Sequence, residues 1–255
     1  MLDPSLLFPT TAGTISGSLL FGLSFGLPAA LVLLRNLAAL DAGALPGGRF
    51  GAAAVARGTR DVHHLMLAVL QAYALASCWK IWLNVGVGRE RPDWYARVAS
   101  GDAGAMKEGR ASYPSGHAAY SHTSGAVCFW YLASVLGVFA GRSRASFALL
   151  VVAVAPVGLA TYIGTTRLTD YRHHFSDVNA GTFIGLASGT LCYFLHFRAA
   201  ALLEGGGAAG APPAARVRDA RGPGWATAGA VPPLVGGRSA QESEHKELTT
   251  VEAQS

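Results

Sequence analysis

Residues 147–165 read FALLVVAVAPVGLATYIGT, nineteen residues without a charge. A helix of about 20 such residues is what crosses the hydrocarbon core of a bilayer. Four further runs of this kind lie at residues 15–34, 64–85, 118–140 and 178–196, so the chain is expected to form five spans. Each run carries Gly, Ala, Ser or Pro, as in Gly22-Leu23-Ser24-Phe25-Gly26-Leu27-Pro28, and small residues let neighbouring spans approach closely. The fold class that follows is all-α, a polytopic transmembrane helical bundle.

Composition agrees. Of 255 residues, 51% are hydrophobic and 14% charged, against about 25% charged in an ordinary soluble domain. A conventional soluble enzyme and a largely disordered chain are both excluded. Cys78, Cys128 and Cys192 all fall inside apolar runs, which gives no support to a disulfide framework. Met1-Leu2-Asp3-Pro4 offers no basic segment ahead of the first run, so that run reads as a retained span rather than a cleaved signal.

Arginine sets the expected orientation. Arg35, Arg49, Arg57 and Arg60 follow the first span, Arg142 and Arg144 the third, and Arg198 the fifth, which makes that side cytoplasmic. The connections at 86–117 and 166–177 then fall on the other side. They nevertheless hold Arg89, Arg91, Arg97, Arg110, Arg167 and Arg172, a conflict with the rule that a bound anion would explain. From Ala199 the chain turns to Ala, Gly and Pro and ends in an acidic stretch, so residues 1–198 read as the membrane domain and 199–255 as a disordered cytoplasmic tail.

Three clusters sit in the non-cytoplasmic connections: Gly88-Arg89-Glu90-Arg91-Pro92, Tyr113-Pro114-Ser115-Gly116-His117, and Thr166-Arg167 through His173-His174 to Asp177. Singly they read as a helix stop, a turn and a helix cap. Jointly they supply the parts of a phosphate-ester hydrolase. Arg91 and Arg167 match phosphate oxygens in bidentate geometry, with Arg89 as a further phosphate-binding candidate. The Ser115-Gly116 turn opens a helix, so its backbone N–H groups are expected to be free for an anion, and Gly116 leaves room for close approach. His173 and Asp177 share a helix face, so the carboxylate is expected to hold one imidazole nitrogen and leave the other to attack phosphorus. His117 is then the general acid for the departing alkoxide. Arg172 and Asp170 are expected to pair within their loop.

These clusters resemble the three signature motifs of the type-2 phosphatidic acid phosphatases, membrane lipid phosphate phosphatases related to vanadium haloperoxidases. Arg91-Pro92, Pro114 to His117, Arg167, His173 and Asp177 carry the likeness, which extends over roughly residues 8–196. The resemblance implies a phosphohistidine at His173, acid catalysis by His117, no metal or other cofactor, a membrane lipid phosphate as substrate and no nucleic-acid partner. It implies an integral membrane protein with its site on the luminal or extracellular face; endoplasmic reticulum, vacuolar and plasma membranes are all compatible.

The sequence departs from the family pattern in three places. Asn84 stands where the family has a phosphate-binding Lys, Thr166 replaces a Ser, and five spans replace the usual six. Lys80, one turn before Asn84, is a candidate substitute. The alternative is a catalytically weakened lipid-phosphate-binding regulator. A metal hydrolase built on His63, His64, His117, His122, His173 and Asp177 is a third, disfavoured because His63 and His64 fall at the opposite membrane surface. Trp94, Tyr95, Tyr113, Tyr171 and Phe175 are expected at the interface, seating lipid or anchoring the protein.

Overall fold

A computed structural model describes residues 2–42, 52–140 and 146–197. The expected tail and Arg49, Arg142, Arg144 and Arg198 lie outside the described residues. Those residues form a short 3-10 turn, Pro4–Leu6, and seven α-helices: α1 Gly17–Ala42, α2 Ala52–Val87, α3 Trp94–Ala99, α4 Ala103–Gly109, α5 Gly116–Val135, α6 Ser146–Thr169 and α7 Phe175–His196. The expected all-α bundle is what forms, with α1, α2, α5, α6 and α7 in place of the five apolar runs.

Four of these helices are long and apolar enough to cross a membrane, over Gly17–Leu37, Thr59–Val87, Phe147–Thr169 and Phe175–His196. The remaining one, α5, expected as a span over 118–140, is more polar than the apolar stretches of the other four. Its position explains this: α5 packs against α1, α2, α6 and α7 and is largely buried by them. A helix shielded from lipid can carry polar side chains if its neighbours satisfy them. The Ser124 hydroxyl donates to the Ser24 carbonyl of α1 at 2.7 Å, and Ser121 to the Ala160 carbonyl of α6 at 3.3 Å. His122 bonds to the Ala118 carbonyl at 2.8 Å and to Thr161 Oγ1 at 3.3 Å, a satisfied core histidine.

α5 stops at Val135, short of the expected 140. Gly137, at φ 64°, supplies the left-handed residue of a helix-ending turn in which the Val138 N–H reaches the Ala133 carbonyl at 3.0 Å.

The α5–α7 contact fixes the geometry of the site. Gly181, Gly185 and Gly189 line one face of α7, and a Cβ on any of them would collide with the Ser115, Ala119 or Thr123 carbonyl of α5 respectively. Three glycines four residues apart thus let two backbones touch, one in the helix whose first turn holds His117 and the other in the helix that carries Asp177.

Candidate active site

The three clusters converge at one end of the bundle. The Ser115 N–H donates to the Asp177 carbonyl at 2.9 Å, Asn84 Nδ2 to the Tyr113 carbonyl at 2.6 Å, and Arg89 Nη1 to Asp177 Oδ1 at 2.8 Å, so the ends of α2, α5 and α7 are tied together. The connection after α2 is more structured than the sequence suggests, since α3 and α4 fold within it. Arg97 is buried there between Asp93 and Glu108, at 2.8 and 3.2 Å.

His173 is buried in the α6–α7 turn, and its Nδ1 lies 2.7 Å from the Ser112 carbonyl oxygen. A carbonyl only accepts, so Nδ1 carries the proton and Nε2 keeps the lone pair. The expected carboxylate partner is not the closest one: Asp177 Oδ2 is 3.8 Å from Nδ1. Ser112 connects them, its carbonyl on His173 and its hydroxyl on Asp177 Oδ2 at 2.6 Å. Burial holds the His173 imidazole below its ordinary value; Asp177 and the Ser112 carbonyl offset part of that, and the charge of Arg91 adds to it. The histidine is neutral at pH 7.

Asp177 is fully buried and densely bonded. Besides Ser112 and Arg89 it accepts from the His174 backbone N–H at 2.9 Å, with His174 Nδ1 at 3.2 Å. Arg89 also reaches Ser176 Oγ at 2.6 Å, so its guanidinium is engaged with α7 rather than open to phosphate.

His117, in the first turn of α5, lies within electrostatic range of Arg167, His173 and Arg91, and its Nε2 is 3.2 Å from the Ile15 carbonyl. Arg167 is buried. Its Nε and Nη2 donate to Thr166 Oγ1 at 3.2 and 3.0 Å, and Nη2 also to Asp170 Oδ2 at 2.8 Å. Asp170 therefore pairs with Arg167, and the expected partner Arg172 instead donates to the Thr11 carbonyl at 2.7 Å. The serine-to-threonine change at Thr166 preserves the hydroxyl that Arg167 uses.

Arg91 Nη1 meets Glu108 Oε1 at 3.0 Å, while its buried Nε has no partner among the described residues. Burial lowers the Arg91 pKa, and Glu108 opposes the shift. Glu108 is 56% exposed, which makes this pair a weak, displaceable one. Most of the arginines that break the orientation rule are matched by internal acids and carbonyls.

The turn differs in one respect from expectation. The Ser115 N–H is consumed by the Asp177 carbonyl, and the Ser115 hydroxyl caps the Ala118 N–H at 3.5 Å. Gly116 and His117, the first two residues of α5, keep N–H groups with no intrahelical acceptor. Lys80 approaches this turn, its Cε 3.5 Å from where a Gly116 Cβ would stand. Asn84 is buried, and its Nδ2 holds the turn by donating to the Tyr113 carbonyl. His63 and His64 lie instead with His196 at the far end of α7, His64 Nδ1 being 3.4 Å from His196 Nδ1. No group of three or more His, Cys, Asp or Glu placed to hold a metal ion occurs among the described residues. Trp94 is buried, under the Arg110 guanidinium at 5.1 Å, whereas Phe175 is 68% exposed.

A fold of packed helices with two histidines, three arginines and a buried aspartate at one end defines a class, and the sequence comparisons identify it. Residues 65–201, more than half of the chain, match the PAP2 superfamily, and the chain belongs to it. It is 36% identical over 141 residues to a PA-phosphatase related-family protein of Dictyostelium discoideum, covering 55% of this chain and 52% of that one. Lipid phosphate phosphatase 2 of Arabidopsis thaliana is 31% identical over 153 residues, covering 54% and 52%. Phospholipid phosphatase 2 of Homo sapiens is 31% identical over 150 residues, covering 58% and 50%. The chain spans about half the length of the curated relatives it matches. No solved structure matches.

Proposed function

We propose that the protein is an integral-membrane lipid phosphate phosphatase that hydrolyses phosphatidic acid and related lipid phosphates to the lipid alcohol and phosphate. The observation that carries this reading is the Ser112 carbonyl on His173 Nδ1, which leaves a neutral Nε2, with Arg91 and His117 within electrostatic range of the ring and Arg167 within range of His117. In the reaction, Nε2 of His173 attacks phosphorus while His117 gives an imidazolium proton to the ester oxygen that leaves and returns to the neutral ring. His117 takes up that proton as the phosphate dianion binds; without substrate, burial and Arg167 hold its pKa down to about 4. Asp177, at 3.8 Å, stabilises the positive charge that grows on the imidazole. Water then attacks phosphorus and breaks the N–P bond, the now neutral His117 accepting the water's proton. Arg91, Arg167, Lys80 and the N–H groups of Gly116 and His117 receive the phosphoryl oxygens. Arg89 and Ser112 hold Asp177 in place.

The names of the relatives support a lipid phosphate as substrate, and the apolar helices support delivery from the bilayer. The site faces the luminal or extracellular side in this reading. No metal takes part in any step, so purified protein releases phosphate from phosphatidic acid in excess EDTA and His173→Ala does not. Chelator-sensitive turnover overturns the reading.

A second reading is a weakened lipid-phosphate binder, favoured by the burial of Asn84 on the Tyr113 carbonyl where the family pattern has a cation. Lys80 beside Gly116 weighs against it. Binding of phosphatidic acid without turnover would select it.

A further inference from the structure

The segment ahead of α1 crosses the site end of the bundle and is bonded to it at successive points. The Phe8 N–H donates to the Pro92 carbonyl at 3.1 Å, and the Phe8 ring stacks on Tyr171 with centroids 4.5 Å apart. The Thr11 carbonyl accepts from Arg172 at 2.7 Å, and the Thr11 hydroxyl bonds the Asp170 carbonyl. Thr14 grips the Asp170 carboxylate twice, with its backbone N–H on Oδ2 at 2.8 Å and its hydroxyl on Oδ1 at 2.6 Å. The Ile15 carbonyl then meets His117 Nε2 at 3.2 Å.

We propose that this strap is a wall of the phosphate site and that Thr14 is a positioning residue acting through Asp170 on Arg167. The inference rests on the phosphatase reading above. Asp170 is the carboxylate that orients the buried Arg167 guanidinium, through the 2.8 Å bond to Nη2. A carboxylate held by one donor can rotate about its own axis and carry its partner with it. Here both oxygens are held by the same threonine, so the rotation is blocked and the guanidinium plane is fixed. With Nε and Nη2 used by Thr166 and Asp170, Nη1 is the edge that turns toward an anion. Gly13 backs onto that edge: a Cβ there would stand 3.2 Å from Nη1. Glycine leaves the space beside Nη1 to a phosphoryl oxygen.

The strap acts on the second histidine as well. Because the Ile15 carbonyl only accepts, it selects the tautomer of His117 that carries its proton on Nε2. The strap thus orients the anion clamp and the His117 ring together before substrate arrives.

The test uses the full chain in lipid nanodiscs, with binding of orthovanadate, a phosphate-shaped anion, measured by calorimetry alongside KM and kcat on phosphatidic acid. Thr14→Val is expected to weaken vanadate binding and raise KM by about tenfold, the effect of one lost hydrogen bond to a charged group. Thr14→Ser, which keeps the hydroxyl, is expected to bind as wild type. In an Asp170→Asn background, Thr14→Val is expected to add less than about twofold, since both act through one carboxylate. Unchanged vanadate binding by a folded Thr14→Val, failure of serine to rescue, or full additivity with Asp170→Asn overturns the proposal while leaving the phosphatase reading intact. Absence of vanadate binding by wild type overturns both.

Discussion

His173 donates its Nδ1–H to the carbonyl of Ser112, 2.7 Å away, and this one bond leaves the lone pair on Nε2. The carboxylate of Asp177 stands further off, at 3.8 Å, as a counter-charge. In a triad whose carboxylate alone fixes the imidazole, removing its charge costs about 10⁴-fold in kcat. Here the backbone retains the tautomer, so Asp177→Asn is expected to lower kcat by only about 10²-fold, of the order expected for losing a partly screened counter-charge at that separation. Ser112→Ala keeps the carbonyl and is expected to cost about tenfold. Steady-state kinetics on both variants check this, and a loss near 10⁴ for Asp177→Asn would contradict the role given to Ser112.

The pH profile follows from burial. Free imidazole titrates near 6.5, and His173 in the fold titrates lower because burial, aided by Arg91, penalises its charged form. The nucleophile therefore stays unprotonated as pH falls through 6.5, and the acidic limb of kcat/KM lies below that value. Stability follows the same sign: the contribution of neutral His173 is complete above 6.5 and declines as pH drops toward the lowered pKa, because only the unfolded chain takes up the proton readily. Arg91→Ala removes a repelling charge and is expected to move the limb upward. A limb above 6.5 in wild type refutes the assignment.

In the proposed reading Lys80 supplies the cation that the family pattern places at position 84, where Asn84 holds the Tyr113 carbonyl. Lys80→Ala is expected to raise KM by about tenfold with the fold intact, since its stem lies beside Gly116. Asn84→Ala strands the Tyr113 carbonyl and is expected to lower stability by about 1–3 kcal/mol. Unchanged kinetics for Lys80→Ala would remove it from the site.

The glycine face of α7 is a stability prediction with an internal control. Gly185→Ala drives a methyl into the Ala119 carbonyl and to 2.8 Å from His122 Cβ, at a cost of about 1–3 kcal/mol or more. Gly158 on α6 has nothing within 4 Å of the same position, and Gly158→Ala is expected to be neutral. Thermal unfolding in detergent compares the two, and equal midpoints would contradict the packing.

The helical bundle was legible because apolar length is written directly in composition, and the gathering of His117, Arg91, Arg167, His173 and Asp177 at one end of it because their residue types and spacing, with the family likeness, already grouped them. α5 was legible in position but not in its central place, which only its neighbours' hydroxyl and carbonyl groups reveal. α3 and α4 are too short for an apolar period to announce. The partner of His173 is a backbone carbonyl, which every residue has and no pattern marks. Thr14 lies 156 residues from Asp170, and nothing local to either forecasts their pairing.

The central claim is a covalent phosphoryl group on His173. Rapid-quench mixing of the protein with phosphatidic acid labelled in its phosphate tests it directly. The account predicts acid-labile label on His173 that appears before free phosphate, decays at the turnover rate and is absent from His173→Ala. Release of labelled phosphate with no labelled protein at any time, or undiminished release by His173→Ala, would contradict it.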